Sequence, residues 1–187
     1  MNESAIDLIG LSRTVAHALR HEPGAYGLEL DEEGWAPVSD LLVALRRRRR
    51  EWREVSEQDL ARMIGSSSKR RYELRDGRMR ALYGHSLSRP LEQAAVRPPE
   101  LLYHGTPPEA VEAIRREGLK PTARQRVHLS ADRSGAVEVG RRRGEHPVVL
   151  RILSGRAHAE GVRFYEGSEE VWLAEEIPAR FIAPGEA

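Results

Sequence analysis

Arg71-Tyr72-Glu73-Leu74-Arg75-Asp76-Gly77-Arg78-Met79-Arg80-Ala81-Leu82-Tyr83 decides the reading of the first half of the chain. Asp-Gly between two apolar-bearing runs is a strong hairpin signal, because both turn residues tolerate positive φ. It predicts strands over Arg71–Leu74 and Met79–Tyr83, joined by Arg75-Asp76-Gly77-Arg78. Upstream, Leu8, Leu11, Val15 and Leu19 recur at helical spacing, and Pro23-Gly24 stops that helix. Leu41, Leu42 and Leu45 form a second apolar stripe behind Ser39, which is read as its N-cap. A third helix follows Ser56, with Asp59 three residues on as in a capping box and Val55 placed to staple against Leu60. Gly65 and the serines after it, Ser66 to Ser68, end it. Three helices followed by a basic hairpin predict a winged-helix lobe whose hairpin faces a phosphate backbone.

Pro90, Pro98 and Pro99 bracket a linker. The boundary is set near Arg97, giving lobes over 1–97 and 98–187. The second lobe alternates strand and helix. Leu101–Tyr103, Val127–Ser130, Val148–Ile152 and Val171–Ala174 read as strands. Pro107 and Pro108 suit a helix start, Gly118 suits its end, and another helix is expected around Gly135–Arg141. The fold class is therefore α+β, with a second lobe of several short strands. Neither a Gly-x-Gly-x-x-Gly nor a P-loop pattern occurs, so a nucleotide site here would be neither Rossmann nor Walker type.

Composition narrows the function classes. With 40% hydrophobic and 32% charged residues, the 187-residue chain reads as a soluble globular protein, without a signal peptide or membrane span and expected in the cytoplasm. The absence of cysteine excludes disulfides, thiolate metal sites and a cysteine nucleophile. A net charge of +1 conceals Arg46 to Arg50, five arginines in succession, and a basic stretch through Lys69, Arg70, Arg71, Arg75, Arg78 and Arg80. Such segments fit a nucleic-acid partner, and equally a solvated arginine-rich surface.

Several short combinations could carry chemistry. Arg20-His21 closes the first helix; cations there suit the macrodipole, but an arginine beside a histidine also makes a phosphate anchor with a proton donor. Gly84-His85-Ser86 follows the hairpin and could be a polar loop only. His104-Gly105-Thr106 lies between a strand and a helix, where glycine would let a ligand approach the backbone. Arg124-Gln125-Arg126-Val127-His128-Leu129-Ser130 puts arginines at the mouth of a strand, with His128 and Ser130 on one face and Val127 and Leu129 on the other. No pair has trustworthy metal-ligand spacing, so no metal is expected.

Together, and in this order, the pieces resemble the RNA 2′-phosphotransferase family. The likeness runs through Leu11-Ser12, Leu19-Arg20-His21, Gly27-Leu28, Leu30-Asp31, Gly34-Trp35, Lys69-Arg70-Arg71-Tyr72 and Gly84-His85-Ser86. It continues through Leu102-Tyr103-His104-Gly105-Thr106, Glu117-Gly118-Leu119, Arg124-Gln125, Val127-His128-Leu129-Ser130 and Val171-Trp172-Leu173. The resemblance implies a winged-helix lobe that binds RNA and an ADP-ribosyltransferase-like lobe that binds NAD⁺. It implies removal of a 2′-phosphate from a tRNA-like RNA in two steps. The phosphate first displaces nicotinamide from NAD⁺, consumed as co-substrate, to give an ADP-ribosylated RNA 2′-phosphate. The ribose 2″-hydroxyl then releases 2′-OH RNA and ADP-ribose 1″,2″-cyclic phosphate. It implies Arg20, His21, Arg71 and Arg124 as the catalytic set. His104, Gly105, Thr106, His128, Leu129 and Ser130 would form the NAD⁺ site, and Lys69, Gly84, His85 and Ser86 the RNA contacts. A monomer is expected.

The chain departs from the family at Tyr83, where glutamine is usual, and in the Arg46–Arg50 run. One competing reading is an ADP-ribosyltransferase acting on protein or nucleic-acid ends. It would want a catalytic glutamate where Val171 stands, although Glu169 and Glu170 lie just upstream. A winged-helix DNA-binding regulator is the other, and it leaves His104, Arg124 and His128 without a task.

Overall fold

The computed structural model describes residues 6–67 and 69–183. The chain divides into two compact units, one through Glu92 and one from Gln93 onward. Both are mixed helix and strand with antiparallel sheets, an α+β architecture. Among the described residues no helix is long and apolar enough to cross a membrane.

In the first unit α1 (Leu8–Arg20), α2 (Val38–Arg48) and α3 (Glu57–Gly65) pack with a three-stranded sheet. Its strands β1 (Ala36–Pro37), β2 (Tyr72–Arg75) and β3 (Arg78–Ala81) lie in the order β1-β3-β2. Leu11, Val15 and Leu19 sit one helical turn apart and are fully buried with Leu41, Leu45, Trp52 and Leu60. Each such side chain contributes about 1.5–3 kcal/mol by leaving water. The Asp7 carboxylate caps α1 by accepting from the Ile9 and Gly10 N–H groups.

The capping box of α3 is present. Asp59 accepts the Ser56 N–H at 2.8 Å and its hydroxyl at 2.7 Å, while Val55 and Leu60 are both buried. Ser39, in contrast, does not cap α2. The helix begins two residues earlier, after Pro37, and the Ser39 hydroxyl turns to the Asp40 carboxylate. Strand pairing sets this start: Pro37 lies opposite Arg78, and the Val38 N–H donates to the Gly77 carbonyl at 2.9 Å. The hairpin turn is the two residues Asp76 (φ 52°) and Gly77 (φ 68°), both left-handed. Arg75 and Arg78 are therefore the last paired residues of the strands rather than part of the turn.

The second unit is built on one antiparallel sheet in the order β7-β8-β5-β4-β6-β9. The strands are β4 (Leu102–Thr106), β5 (Val127–Ser130), β6 (Val148–Ile152), β7 (Phe164–Ser168), β8 (Val171–Ala174) and β9 (Ile182–Ala183). Helices α4 (Val111–Glu117), α5 (Arg133–Arg141) and α6 (Ser154–Ala159) complete it. Leu102, Leu150, Ile152, Phe164, Ile177 and Phe181 are fully buried in its core.

Strands β7 and β9 and helix α6 were not anticipated. Phe164-Tyr165 is followed at once by Glu166-Gly167, and the ladder shifts register between Glu166 and Ser168, so no alternating pattern marks the strand. Gly105 also has a packing reason that the sequence did not show. A Cβ there would collide with the Ala136 carbonyl of α5, so the glycine permits close helix–strand packing; the approach to its backbone on that side is taken by α5.

Candidate active site

In the first unit the end of α1, the start of the hairpin and the loop after it meet around one side chain. Arg20 donates from Nη2 to the Arg71 carbonyl at 3.4 Å. Its guanidinium carbon lies 5.3 Å from the ring centres of both Tyr72 and Tyr83. Burial pushes its pKa down; the two tyrosines oppose that shift, and the nearby Arg71 cation adds to it. An arginine keeps its proton under such conditions, so two cations stand side by side. Among the described residues no carboxylate pairs with either. The buried Arg20 Nε has no hydrogen-bond partner there. Arg71 is held by one contact, from Nη1 to the Ser67 hydroxyl at 3.3 Å. Adjacent arginines without an acid, one with a donor to spare, are the chemistry of an oxyanion site.

The Gly84-His85-Ser86 loop is fitted to this centre. Gly84 adopts φ +89°, and a Cβ there would stand 3.4 Å from Arg20 Nη1, so a larger residue meets both a strained backbone and the guanidinium. The Ser86 N–H donates to the Arg20 carbonyl at 3.0 Å, satisfying a terminal carbonyl of α1. The Ser86 hydroxyl lies 2.8 Å from His21 Nδ1, so the loop also orients the histidine ring. His85 is buried. Lys69 is half-buried, and its backbone N–H and carbonyl both engage the Ser67 hydroxyl that holds Arg71. An open cavity of about 430 Å³ borders His21, with Leu30, Leu87 and Leu91 on its apolar side and Asp31 among its polar groups. Sequence reasoning missed Ser67 and the tyrosine pair. Tyr83 is read from sequence as a strand end and a departure from the family pattern, yet its ring lies against Arg20.

In the second unit β4 and β6 pair along five positions, from Leu102↔Ile152 to Thr106↔Val148. The β4–β5 ladder is registered only at Tyr103↔Ser130. Beyond that pair the His104 ring takes over: its Nδ1–H donates to the His128 carbonyl at 3.0 Å. That bond fixes the tautomer and leaves Nε2 as the acceptor. Burial lowers the His104 pKa; the bond to His128 works the other way, and the Arg143 cation reinforces the lowering, so His104 is neutral near pH 7. His128 Nδ1 lies 3.1 Å from the Arg126 carbonyl.

These residues are near one another without sharing a face. The Tyr103↔Ser130 pairing puts Ser130, and by alternation His128, on the face with Gly105, over which α5 packs. His104 and Thr106 leave from the other face, and Thr106 is buried there. Leu129 is a core residue, not an exposed contact. Arg124 is exposed in the segment leading into β5. Arg126 was named only in passing but is well fixed. Its guanidinium carbon sits 3.5 Å over the Tyr165 ring, its Nη1 donates to Gln93, and Tyr165 in turn donates to Glu175 at 2.8 Å.

Comparison with known proteins covers both units. The family model described as RNA 2′-phosphotransferase, Tpt1/KptA family, matches residues 7–176. A protein of Acetivibrio thermocellus named probable RNA 2′-phosphotransferase is 49% identical over 177 residues, covering 95% of this chain and 97% of its own. A protein of the same name from Bacillus thuringiensis subsp. konkukian is 50% identical over 173 residues, covering 92% and 93%. One from Streptomyces griseus is 39% identical over 183 residues, covering 93% and 95%. With the match spanning both units at such identity, the chain belongs to the RNA 2′-phosphotransferase family.

Proposed function

We propose that the protein is an NAD⁺-dependent RNA 2′-phosphotransferase, with a winged-helix first unit and an ADP-ribosyltransferase-like second unit. The observation that carries the reading is the Arg20–Arg71 pair, two adjoining cations with no carboxylate between them among the described residues. A 2′-phosphomonoester carries up to two negative charges on a small group, and charge-assisted bonds to paired guanidinium groups suit it.

The residues take distinct tasks. Arg20, against the Tyr72 and Tyr83 rings, is the first ligand; Arg71, tethered through Ser67, is the second; Arg124 is a third. Together they would neutralise the phosphate and hold its attacking oxygen in line, then stabilise charge on the pentacoordinate phosphorus. His21, oriented through Nδ1 by Ser86, is assigned as the acid that protonates the departing RNA 2′-oxygen. Lys69 and the Gly84–Ser86 loop are assigned to the RNA, and the cavity beside His21 to a flanking nucleotide.

NAD⁺ would supply an electrophilic ribose carbon with nicotinamide as leaving group, the ADP-ribosylated RNA 2′-phosphate being the intermediate and the cyclic phosphate the by-product. The interrupted β4–β5 ladder fits it. A neutral His104 presents an acceptor at Nε2, His128 and Ser130 add polar groups on the opposite face of the strand pair, and Thr106 adds a hydroxyl at the end of β4. These residues, with the backbone of Gly105 and Leu129, are the proposed dinucleotide contacts. The test is incubation of a synthetic 2′-phosphorylated oligonucleotide with and without NAD⁺, resolved by mass. Dephosphorylation accompanied by nicotinamide and requiring NAD⁺ is expected. Dephosphorylation without it, or transfer of ADP-ribose to protein instead, would refute the assignment.

A further inference from the structure

The five arginines after Leu45 are not equivalent. Arg46 is part of the fold, donating from Nε and Nη2 to the Val55 carbonyl at 3.0 and 2.8 Å. Arg49 stacks 4.8 Å from the Trp52 ring centre and pairs with Glu51 at 3.3 Å. Arg47, Arg48, Arg50 and nearby Arg53 are exposed, and among the described residues none has a carboxylate partner.

Arg48 ties this run to the end of α1. Its guanidinium lies 5.0 Å over the Tyr26 ring, the Tyr26 hydroxyl is 3.2 Å from His17 Nδ1, and the His17 and His21 rings are 6.0 Å apart. Arg13 and His17 fall four residues apart along one face of α1, the C-cap His21 follows four residues on, and Arg13 is exposed without a carboxylate partner among the described residues. That face spans about 12 Å at the helical rise. A continuous band of cationic and aromatic groups thus runs from His21 over His17 and Tyr26 to the arginine run. The helix dipole accounts for cations in the last turns of α1 and α2, but not for Arg13, nearly two turns before the end of α1, or for the Tyr26 ring beneath Arg48. A flexible chain of phosphates and bases matches alternating guanidinium groups and rings better than an acidic protein surface does.

We propose that Arg47, Arg48 and Arg50, with Tyr26 beneath Arg48, form a second contact for the RNA backbone flanking the 2′-phosphate held near His21; this rests on the function proposed above. It would add affinity for longer RNAs and take no part in the chemistry. The test uses Arg47→Ala/Arg48→Ala/Arg50→Ala, which keeps the Arg46 bonds to Val55. The first measurement is fluorescence anisotropy with a single-stranded RNA of about 20 nucleotides bearing no 2′-phosphate, across a salt series. Loss of three phosphate contacts should reduce the slope of log affinity against log salt by about 2. Turnover of a 2′-phosphorylated trinucleotide should match the parent. If the triple variant fails to fold, Arg47→Ala/Arg50→Ala, which removes no packing contact, should lower the slope by about 1. An unchanged slope, an equal loss on the trinucleotide, or loss of polyglutamate binding with RNA binding intact would each overturn the proposal. A parent protein inert on the trinucleotide would count against the proposed function alone, leaving the anisotropy to decide this surface.

Discussion

Arg20 reaches the backbone carbonyl of Arg71 at 3.4 Å, so the last residue of the first helix and the residue that opens the hairpin are locked together, 51 positions apart in sequence. Beside that backbone contact, the Arg71 guanidinium is held by the Ser67 hydroxyl at 3.3 Å. Replacing Arg71 with alanine should therefore cost about 10²–10³-fold in turnover, the range for removing a group that stabilises a transition-state oxyanion. Circular dichroism and thermal unfolding should remain close to the parent, because Arg71 makes a single side-chain hydrogen bond. Wild-type turnover by this variant would contradict its role.

The Tyr83 ring centre lies 5.3 Å from the Arg20 guanidinium carbon. Tyr83→Phe should be nearly silent, whereas Tyr83→Ala should weaken substrate affinity several-fold through loss of a cation–π contact of about 0.5–2 kcal/mol. Steady-state kinetics on one oligonucleotide series would read this. Equal defects in the two variants would implicate the hydroxyl instead.

Ser86 is a positioning residue for His21 by the 2.8 Å contact to Nδ1. Ser86→Ala should lower kcat more than it changes KM, and should displace the pH dependence of kcat. A pure KM effect with an unmoved pH profile would reduce Ser86 to an RNA contact.

Gly105→Ala separates two explanations of one glycine. Because a Cβ collides with the Ala136 carbonyl, unfolding in denaturant should show a loss of about 1–3 kcal/mol, as for overpacking. Unchanged stability with lost dinucleotide binding would favour a ligand-facing role.

His104 gives a pH dependence with a definite sign. Burial, the largest influence, holds its folded pKa below the ordinary value, so below about pH 6.5 the unfolded chain binds the proton more readily. Its stabilising contribution is complete above that pH and is lost as pH falls toward the folded pKa. Denaturant titrations at pH 7.5 and 5.5 should show the parent losing more stability than His104→Asn. Equal losses would mean His104 does not titrate as described.

The legibility of the chain followed the range of the forces involved. Local signals read well: the Asp76-Gly77 turn, the Ser56–Asp59 box and the Leu11-Val15-Leu19 stripe are all set by neighbours in sequence. The start of α2 was misread because Pro37 answers to a strand partner 41 residues away. The packing constraint on Gly105 could not be read, because it comes from Ala136 on a different element. At the candidate site, Arg20, His21 and Arg71 could be named from sequence. The contacts of Arg20 with Tyr72 and Tyr83 and the Ser86–His21 contact could not, since each joins residues that only the fold brings together; the Ser67 tether is local, but no pattern in the serine run marks it.

The central claim is that the Arg20–Arg71 pair recognises the 2′-phosphate itself. The most direct measurement is calorimetric binding of two oligonucleotides, identical except for one 2′-phosphate, to the parent and to Arg20→Ala/Arg71→Ala without NAD⁺. The parent should prefer the phosphorylated RNA by at least an order of magnitude, and the variant should bind both equally. A variant that keeps the preference would contradict the account.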